Sequence, residues 1–336
     1  MKTVVFFDAC TPFSYSNENL INQCLGGIVA STIRIAEKLG ETCSVFVLQK
    51  HRKTISKGIA NTFYAPININ LDNKQVSSAI ALRNSGIIPY LSKRFSKAKC
   101  FLWSHDHPYY SHHLLISDFH LLQKEKFTLI AVSQSHLKAI QQILDEYNLN
   151  TKNITFDYIY NPIENDLHPD NTKVDLNKLF FCSSPIKGEH YLYYLFEYLS
   201  AVNPNFQLFI ANPNYKIKNS QPSLKNGIHL LGALSHSEVI KHMRESLCLF
   251  YPNYVYPETF GLAMAEANAV GTPVLTHNLG STCEVLGNNH QIIDVTIKKE
   301  CVQRIMDWHY GNRPIVMGNP LFRLDKIAEE WNNKLN

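Results

Sequence analysis

The chain has 336 residues, 45% of them hydrophobic and 18% charged, with a formal net charge of +4. That length suits two domains of roughly 150 residues each, and no apolar run approaches the ~20 residues of a membrane-spanning helix. A mildly positive charge without any Lys/Arg block argues against a nucleic-acid partner and allows contact with an anionic membrane face or an anionic substrate. The eight cysteines (10, 24, 43, 100, 182, 248, 283, 301) form no Cys-x-x-Cys pair. They read as reduced thiols, several of them core residues, of a cytoplasmic protein, and not as a zinc site or disulfide framework. The opening Met-Lys-Thr-Val-Val-Phe-Phe-Asp reaches an acid too early for a secretory leader, and Thr3 to Phe7 reads as a first buried strand.

A polar loop runs from Asp8 to Cys24. Gly26-Gly27 then opens a helix with Ile28, Thr32, Ile35, Ala36 and Leu39 on one face, closed by Gly40, and Ser44 to Leu48 is the next strand. Gly-x-Gly-x-x-Gly is absent, so the glycine pair is no dinucleotide fingerprint; a tight turn needing positive φ explains it as well as any ligand contact does. Residues 59 to 91 predict short strands at Thr62 to Ala65 and Gly86 to Pro89 with a helix between. Lys99 to Ser104 is a strand that ends in His105-Asp106-His107-Pro108-Tyr109-Tyr110. A polar cluster after a buried strand lies where open α/β sheets bind ligands. Metal ligation by His105 and His107, helped by Asp106, His112 or His113, is one reading, but the spacing matches no regular metal site. Phe127 to Ser133 follows as a strand. Ser135 is expected to cap a helix carrying Leu137, Ile140, Ile143 and Leu144, and Ile154 to Ile159 closes the first half.

Residues 164 to 177 are polar and read as a linker. Beyond them come strand Leu179 to Cys182, the turn Ser183-Ser184-Pro185-Ile186-Lys187-Gly188, helix 189 to 200, and strands Phe206 to Ala211 and Ile228 to Gly232. Ser235 with Glu238 forms a capping box for helix 236 to 245. Leu247 to Tyr251 is a short buried strand. A polar, aromatic loop ends in Pro257-Glu258, a helix begins near Phe260, and Gly271-Thr272-Pro273 stops it before strand Val274 to Thr276. On that helix Glu258 lies in the mouth and Glu266 nearly two turns inside, about 12 Å apart along the axis at 1.5 Å per residue. Free N–H groups of Phe260, Gly261 and Leu262 at the terminus suit a phosphate or carboxylate.

The pair Glu258 and Glu266, set in Pro-Glu-x-Phe-Gly and followed by Ala-x-Gly-Thr-Pro-Val, resembles the Glu-x7-Glu signature of retaining GT-B glycosyltransferases, family 4 in particular. The resemblance implies an α/β fold of two Rossmann-like domains facing across a cleft, with a C-terminal helix that crosses back to the first domain. It divides the chain into 1–163 (acceptor side), 164–318 (nucleotide-sugar binding) and 319–336, whose helix is Leu324 to Leu335. By resemblance Glu258 holds the donor sugar, Glu266 the ribose, and the amides of Thr259, Phe260, Gly261 and Leu262 the diphosphate. Lys187-Gly188 matches the end of the family's Gly-Arg-x-x-x-x-Lys-Gly turn, whose cations clamp the diphosphate, although Cys182 or Ser183 stands where the Arg belongs. Gly26 and Gly27 would face the diphosphate and the acceptor, Gly232 to Leu234 would hold the base, and His105 or Asp106 would position the reacting centre. Gly280-Ser281-Thr282-Cys283-Glu284 resembles the family's Gly-Gly-x-x-Glu with one glycine lost.

The implied activity is retaining sugar transfer from a nucleotide-diphosphate sugar, UDP or GDP, to a glycan or glycolipid acceptor. The resemblance implies no cofactor and no metal, since Asp-x-Asp is absent, and suggests bacterial lipopolysaccharide or capsule synthesis in the cytoplasm, with peripheral contact at the inner membrane face. Two alternatives share the fold: a sugar epimerase or inverting transferase, and a non-catalytic carbohydrate-binding subunit, which the missing Arg favours.

Overall fold

Val4, Val5, Phe6 and Phe7 are all buried, a continuous apolar run of the kind a strand covered on both faces requires. The computed structural model describes residues 2–336 except 24, 72–74, 213–225 and 288, with the side chains of 21, 22, 110–114 and 289 also outside the description. The chain separates into two compact units. The first comprises Met1–Asn19, Gly27–Pro162 and Leu321–Asn336, and the second Leu20–Gly26 and Ile163–Pro320.

In chain order the first part contains β1 (Thr3–Asp8), α1 (Asn17–Asn22), α2 (Gly27–Leu39), β2 (Ser44–Gln49), β3 (Ser56–Lys57), β4 (Thr62–Pro66), β5 (Val76–Leu82), α3 (Ile88–Arg94), β6 (Lys99–Trp103), α4 (Pro108–Ser117), α5 (Phe119–Leu122), β7 (Phe127–Ala131), α6 (Gln134–Glu146) and β8 (Ile154–Tyr158). Its sheet runs β3-β4-β2-β1-β5-β6-β7-β8. Every pairing is parallel except β3 with β4. The strand order reverses between β1 and β5, and such a switch point leaves a crevice at the carboxyl ends of the strands.

Three local expectations fail here. The stretch expected to be helical holds β5, the strand between β1 and β6. Its Val-Ser-Ser-Ala-Ile-Ala-Leu sequence has little β-branched character, but Ser78 to Leu82 are all buried, and a central position compensates for weak propensity. The strand expected at Gly86 to Pro89 is instead a 3-10 turn, Ser85–Ile87, running into α3, with Asn84 accepting from the Gly86 N–H at 3.0 Å and Pro89 at the helix start. The cap of α6 is Ser133, whose hydroxyl accepts the His136 N–H at 2.9 Å, and not Ser135.

One face of this sheet packs Val5, Phe7, Ala79 and Leu102 against Ile88, Leu91, Phe119, Ile140 and Leu144 of α3, α5 and α6. On the other face Phe6 and Trp103 meet Trp331, with the two indoles at 5.0 Å and 70°. Each buried aromatic removes about 150–250 Å² from water.

The second part contains β9 (Asp175–Cys182), α7 (Glu189–Val202), β10 (Gln207–Ala211), β11 (Ile228–Gly232), α8 (His236–Glu245), β12 (Ser246–Tyr251), α9 (Leu262–Ala269), β13 (Val274–Thr276), α10 (Thr282–Leu286) and α11 (Lys298–Asp307). The last helix, α12 (Leu324–Leu335), belongs to the first unit, where it packs on α2. The second sheet runs β11-β10-β9-β12-β13, all parallel. In order of appearance that is 3-2-1-4-5, the dinucleotide-fold order, with its switch point between β9 and β12. β9 begins at Asp175, inside the stretch read as linker. The capping box on α8 forms as expected, with Ser235 and Glu238 bonding each other's backbone.

Candidate active site

In the second unit the turn after β9 and the loop after β12 leave adjacent strands at the switch point, and they meet. Gly188, at φ +93°, lies so close to Pro252 and Asn253 that a Cβ there would stand 3.2 Å from the Asn253 Cα and the Pro252 carbonyl. That approach brings Lys187 onto Glu258, its ammonium 2.7 and 2.8 Å from the two carboxylate oxygens. Glu258 is 5% exposed. Its Oε1 also accepts the hydroxyl of Tyr251, the last residue of β12. Burial, then the neighbouring Glu258 charge, push the Tyr251 hydroxyl well above its usual pKa, so it stays protonated as a donor.

The backbone around Glu258 is held from a third side. Ser281 donates its N–H to the Glu258 carbonyl at 2.9 Å and its hydroxyl to the Phe260 carbonyl at 2.9 Å. The helix starts two residues later than expected: Gly261, in the left-handed region at φ +86°, is the cap, and Leu262 is the first residue of α9. The first N–H groups of a helix have no intrahelical acceptor, so this terminus still presents donors beside Glu258. Thr259 is half-buried and Phe260 buried.

Glu266 is 5% exposed within α9, and His236 donates Nε2–H to its Oε1 at 2.9 Å. His236 is the first residue of α8, immediately after the loop Gly232-Ala233-Leu234. Gly232 sits at φ +70° with nothing within 4 Å of a Cβ built there, and Leu234 is half-buried. The site residues expected at Glu258, Glu266, Lys187, Gly232, Leu234 and 259–262 therefore all lie at the carboxyl edge of one sheet or on the segments leaving it. Tyr251, His236 and Ser281 are additions. Tyr251 read only as the end of an apolar strand, and His236 only as the start of the helix that Ser235 caps.

The first unit holds the remaining candidates. Of His105, Asp106 and His107 after β6, His105 is the buried one, at 5% exposure, with its ring 4.5 Å from Trp103 and, among the described residues, no hydrogen-bond partner at Nε2. Burial, then the nearby Arg83 charge, hold its pKa well below the usual histidine value. The Asp106 carboxylate is half-buried, and Arg83 holds it through two bonds of 2.7 and 2.9 Å. Arg83 follows β5 at the switch point and has a positive φ of 64°. His107 stacks on Tyr109 at 5.5 Å. Among the described residues no three His, Cys, Asp or Glu side chains are arranged to hold a metal ion, and the side chains of His112 and His113 lie outside the description. Gly26 directly precedes α2 and Gly27 is its first residue. Neither has a positive φ, so the tight-turn explanation for this pair fails.

His136 stabilises the main chain after β6. Its Nε2–H donates to the Asp106 carbonyl at 3.0 Å, while Nδ1 accepts the Val132 N–H at 3.3 Å. Burial lowers its pKa to about 4, whereas an unfolded histidine titrates near 6.5. Between those values the unfolded chain binds the extra proton, so stability is full above pH 6.5 and is lost as pH falls toward 4. The loss should reach about 3 kcal/mol from this residue. Urea unfolding at pH 7.0 and 4.5 should show it, and His136→Asn should flatten the slope; an identical slope in the variant would remove His136 as its source.

Residues 166–311 match the family model for glycosyl transferases group 1, a match that covers the second unit and less than half of the chain. Among solved structures the chain resembles Anabaena HepE in complex with UDP and glucose, with 15% identity, TM-score 0.64 and coverage of 100% of this chain and 99% of that one. It resembles WaaG, a glycosyltransferase involved in lipopolysaccharide biosynthesis, with 13% identity, TM-score 0.62 and 99% coverage of both chains. The pneumococcal O-GlcNAc transferase GtfA, in complex with UDP and GlcNAc, gives 15% identity and TM-score 0.61 over 77% of this chain; the match spans 56% of the GtfA chain. No curated protein matched the sequence. The fold is that of the GT-B glycosyltransferases, an α/β architecture of two parallel-sheet Rossmann-like units.

Proposed function

We propose that the chain transfers a sugar, with retention, from a nucleotide-diphosphate sugar to a glycan or lipid-linked acceptor in bacterial lipopolysaccharide or capsule synthesis. The observation that carries this reading is the arrangement at the second switch point: a buried carboxylate, Glu258, paired with a lysine, beside a helix terminus and with a second buried carboxylate, Glu266, further along the same helix. Such a row matches the parts of a nucleotide-diphosphate sugar in order. Glu258 accepts sugar hydroxyls; Lys187 and the amides of Thr259 to Leu262 take the diphosphate. Glu266, steadied by His236, accepts the ribose hydroxyls, and the backbone at Gly232 to Leu234 takes the base. Fixed donors around the leaving diphosphate lower the barrier without a metal. In the first unit His105 serves the reacting centre, and Asp106 acts by orienting Arg83. UDP is the first nucleotide to test, because the HepE and GtfA structures hold UDP. No described helix is long and apolar enough to cross a membrane, and a peripheral position at the cytoplasmic membrane face completes the proposal. The absent Arg at 182 or 183 favours a second reading, a binder that does not turn over.

A thermal-shift series with UDP, GDP, ADP and CMP, followed by slow hydrolysis of the matching nucleotide sugars, separates the two. A true donor nucleotide at a hundred times its Kd should stabilise the protein by about 2.7 kcal/mol. Glu266→Ala should weaken that nucleotide at least about tenfold, the value of one charge-assisted hydrogen bond. No shift with any nucleotide would sink the donor reading, and a shift without hydrolysis would select the binder.

A further inference from the structure

We infer that Tyr251 is the positioning residue for Glu258 in the donor-loaded state, the group that keeps this carboxylate aimed at the sugar once Lys187 has turned to the diphosphate. The inference rests on the donor reading above and deepens it.

Glu258 has two partners of different character. Lys187 reaches it on a flexible four-carbon stem from a turn, with the side chain 31% exposed. Lysine is a compact charge that can rotate to a new acceptor. Tyr251 cannot move in that way. It is 3% exposed at the end of β12, in register with Thr276 of β13, and its ring stacks on Phe181 of β9 at 5.8 Å and 19°. Its hydroxyl, near Ser183 Oγ at 3.4 Å, donates to Glu258 Oε1.

The turn from Cys182 to Gly188 carries a single cation, Lys187. An arriving diphosphate, with more negative charge than one carboxylate, competes for that ammonium. When Lys187 leaves, Glu258 would be a buried carboxylate short of donors, an unfavourable state if nothing replaces the lost partner. Tyr251 holds Oε1 throughout. Oε2, until then bonded among the described residues by Lys187 alone, is released to accept a sugar hydroxyl. A tyrosine that stays protonated, as burial ensures here, performs this task at any working pH.

Tyr251→Phe keeps the ring and its stacking and removes one oxygen, so the fold should survive. The expected result is a fall of about tenfold in kcat for donor hydrolysis, with the Kd for free UDP and the KM for donor each within twofold of wild type, because the aim of Glu258 matters only where the sugar is bound. The melting temperature should stay close to the wild-type value. Unchanged kcat overturns the inference while leaving the donor reading in place. Parallel losses in UDP affinity, kcat and melting temperature also overturn it, by assigning Tyr251 to packing. A wild-type protein that neither binds UDP nor hydrolyses any nucleotide sugar overturns the donor reading, and the inference with it.

Discussion

Replacing Glu258 by Gln should lower sugar transfer by about 10²–10³-fold while the protein keeps its fold. The substitution is isosteric, so packing against Tyr251 and the Gly280 backbone is preserved. Two things change. The neutral amide can no longer hold two donors on two anionic oxygens, and charge-assisted bonds are roughly twice as strong as neutral ones. Lys187 also loses its counter-charge, but at 31% exposure it can return to water, so the stability cost should stay near 1 kcal/mol or below. The nucleotide, held elsewhere by Glu266 and the helix terminus, should bind as before. Rates of sugar transfer and UDP affinity measured side by side decide the matter: transfer within a factor of three of wild type would remove Glu258 from the site. Loss of UDP binding together with transfer would mean that Glu258 shapes the whole loop.

What the sequence revealed and what it hid follow from the physics of each element. Most strands of the second unit, with α7 and α8, were legible because its strands are compact apolar runs, its turns carry Gly and Pro, and Ser235 with Glu238 makes a capping box whose geometry formed as expected; the polar start of β9 and the later helices α10 and α11 were not. Glu258 and Glu266 stood out because two acids in an otherwise apolar stretch need a reason. β5 was hidden because strand propensity reflects side-chain fit on a pleated surface, and serines and alanines give no such sign; only its place between β1 and β6 makes it a strand. Missing β5 meant missing Arg83, which matters because it follows that strand onto the sheet edge and pairs with Asp106. The choice among His105, Asp106 and His107 depended on the same neighbour. His236 and Tyr251 were invisible for another reason. Their roles come from contacts 30 and 7 residues away, and one sequence does not report a contact made across a fold.

Gly280→Ala should come close to Glu258→Gln in damage to transfer, although no side chain of the site is touched. Gly280 runs as a one-residue parallel bridge beside Glu258. A Cβ at Gly280 would lie 2.3 Å from the Glu258 carbonyl oxygen and 2.6 Å from its nitrogen. Both are backbone atoms, so no rotamer change relieves the clash, and the loop must move by about 1 Å to reach ordinary contact. A displacement of that size at a reacting group costs on the order of a hundredfold in rate. The backbone conformation adds to the effect, since φ is +67° at Gly280 and an alanine held there costs about 1–2 kcal/mol. Overpacking brings a further 1–3 kcal/mol, so the variant should also unfold at visibly lower urea. Gly287→Ala separates these terms. It too has positive φ, +57°, but nothing stands within 4 Å of its Cβ, so it should lose only the backbone strain and retain transfer. If Gly280→Ala transferred sugar as well as Gly287→Ala does, the placement of the Glu258 backbone would not be what the rate depends on, and the role given to Ser281 and Gly280 in holding that loop would fall.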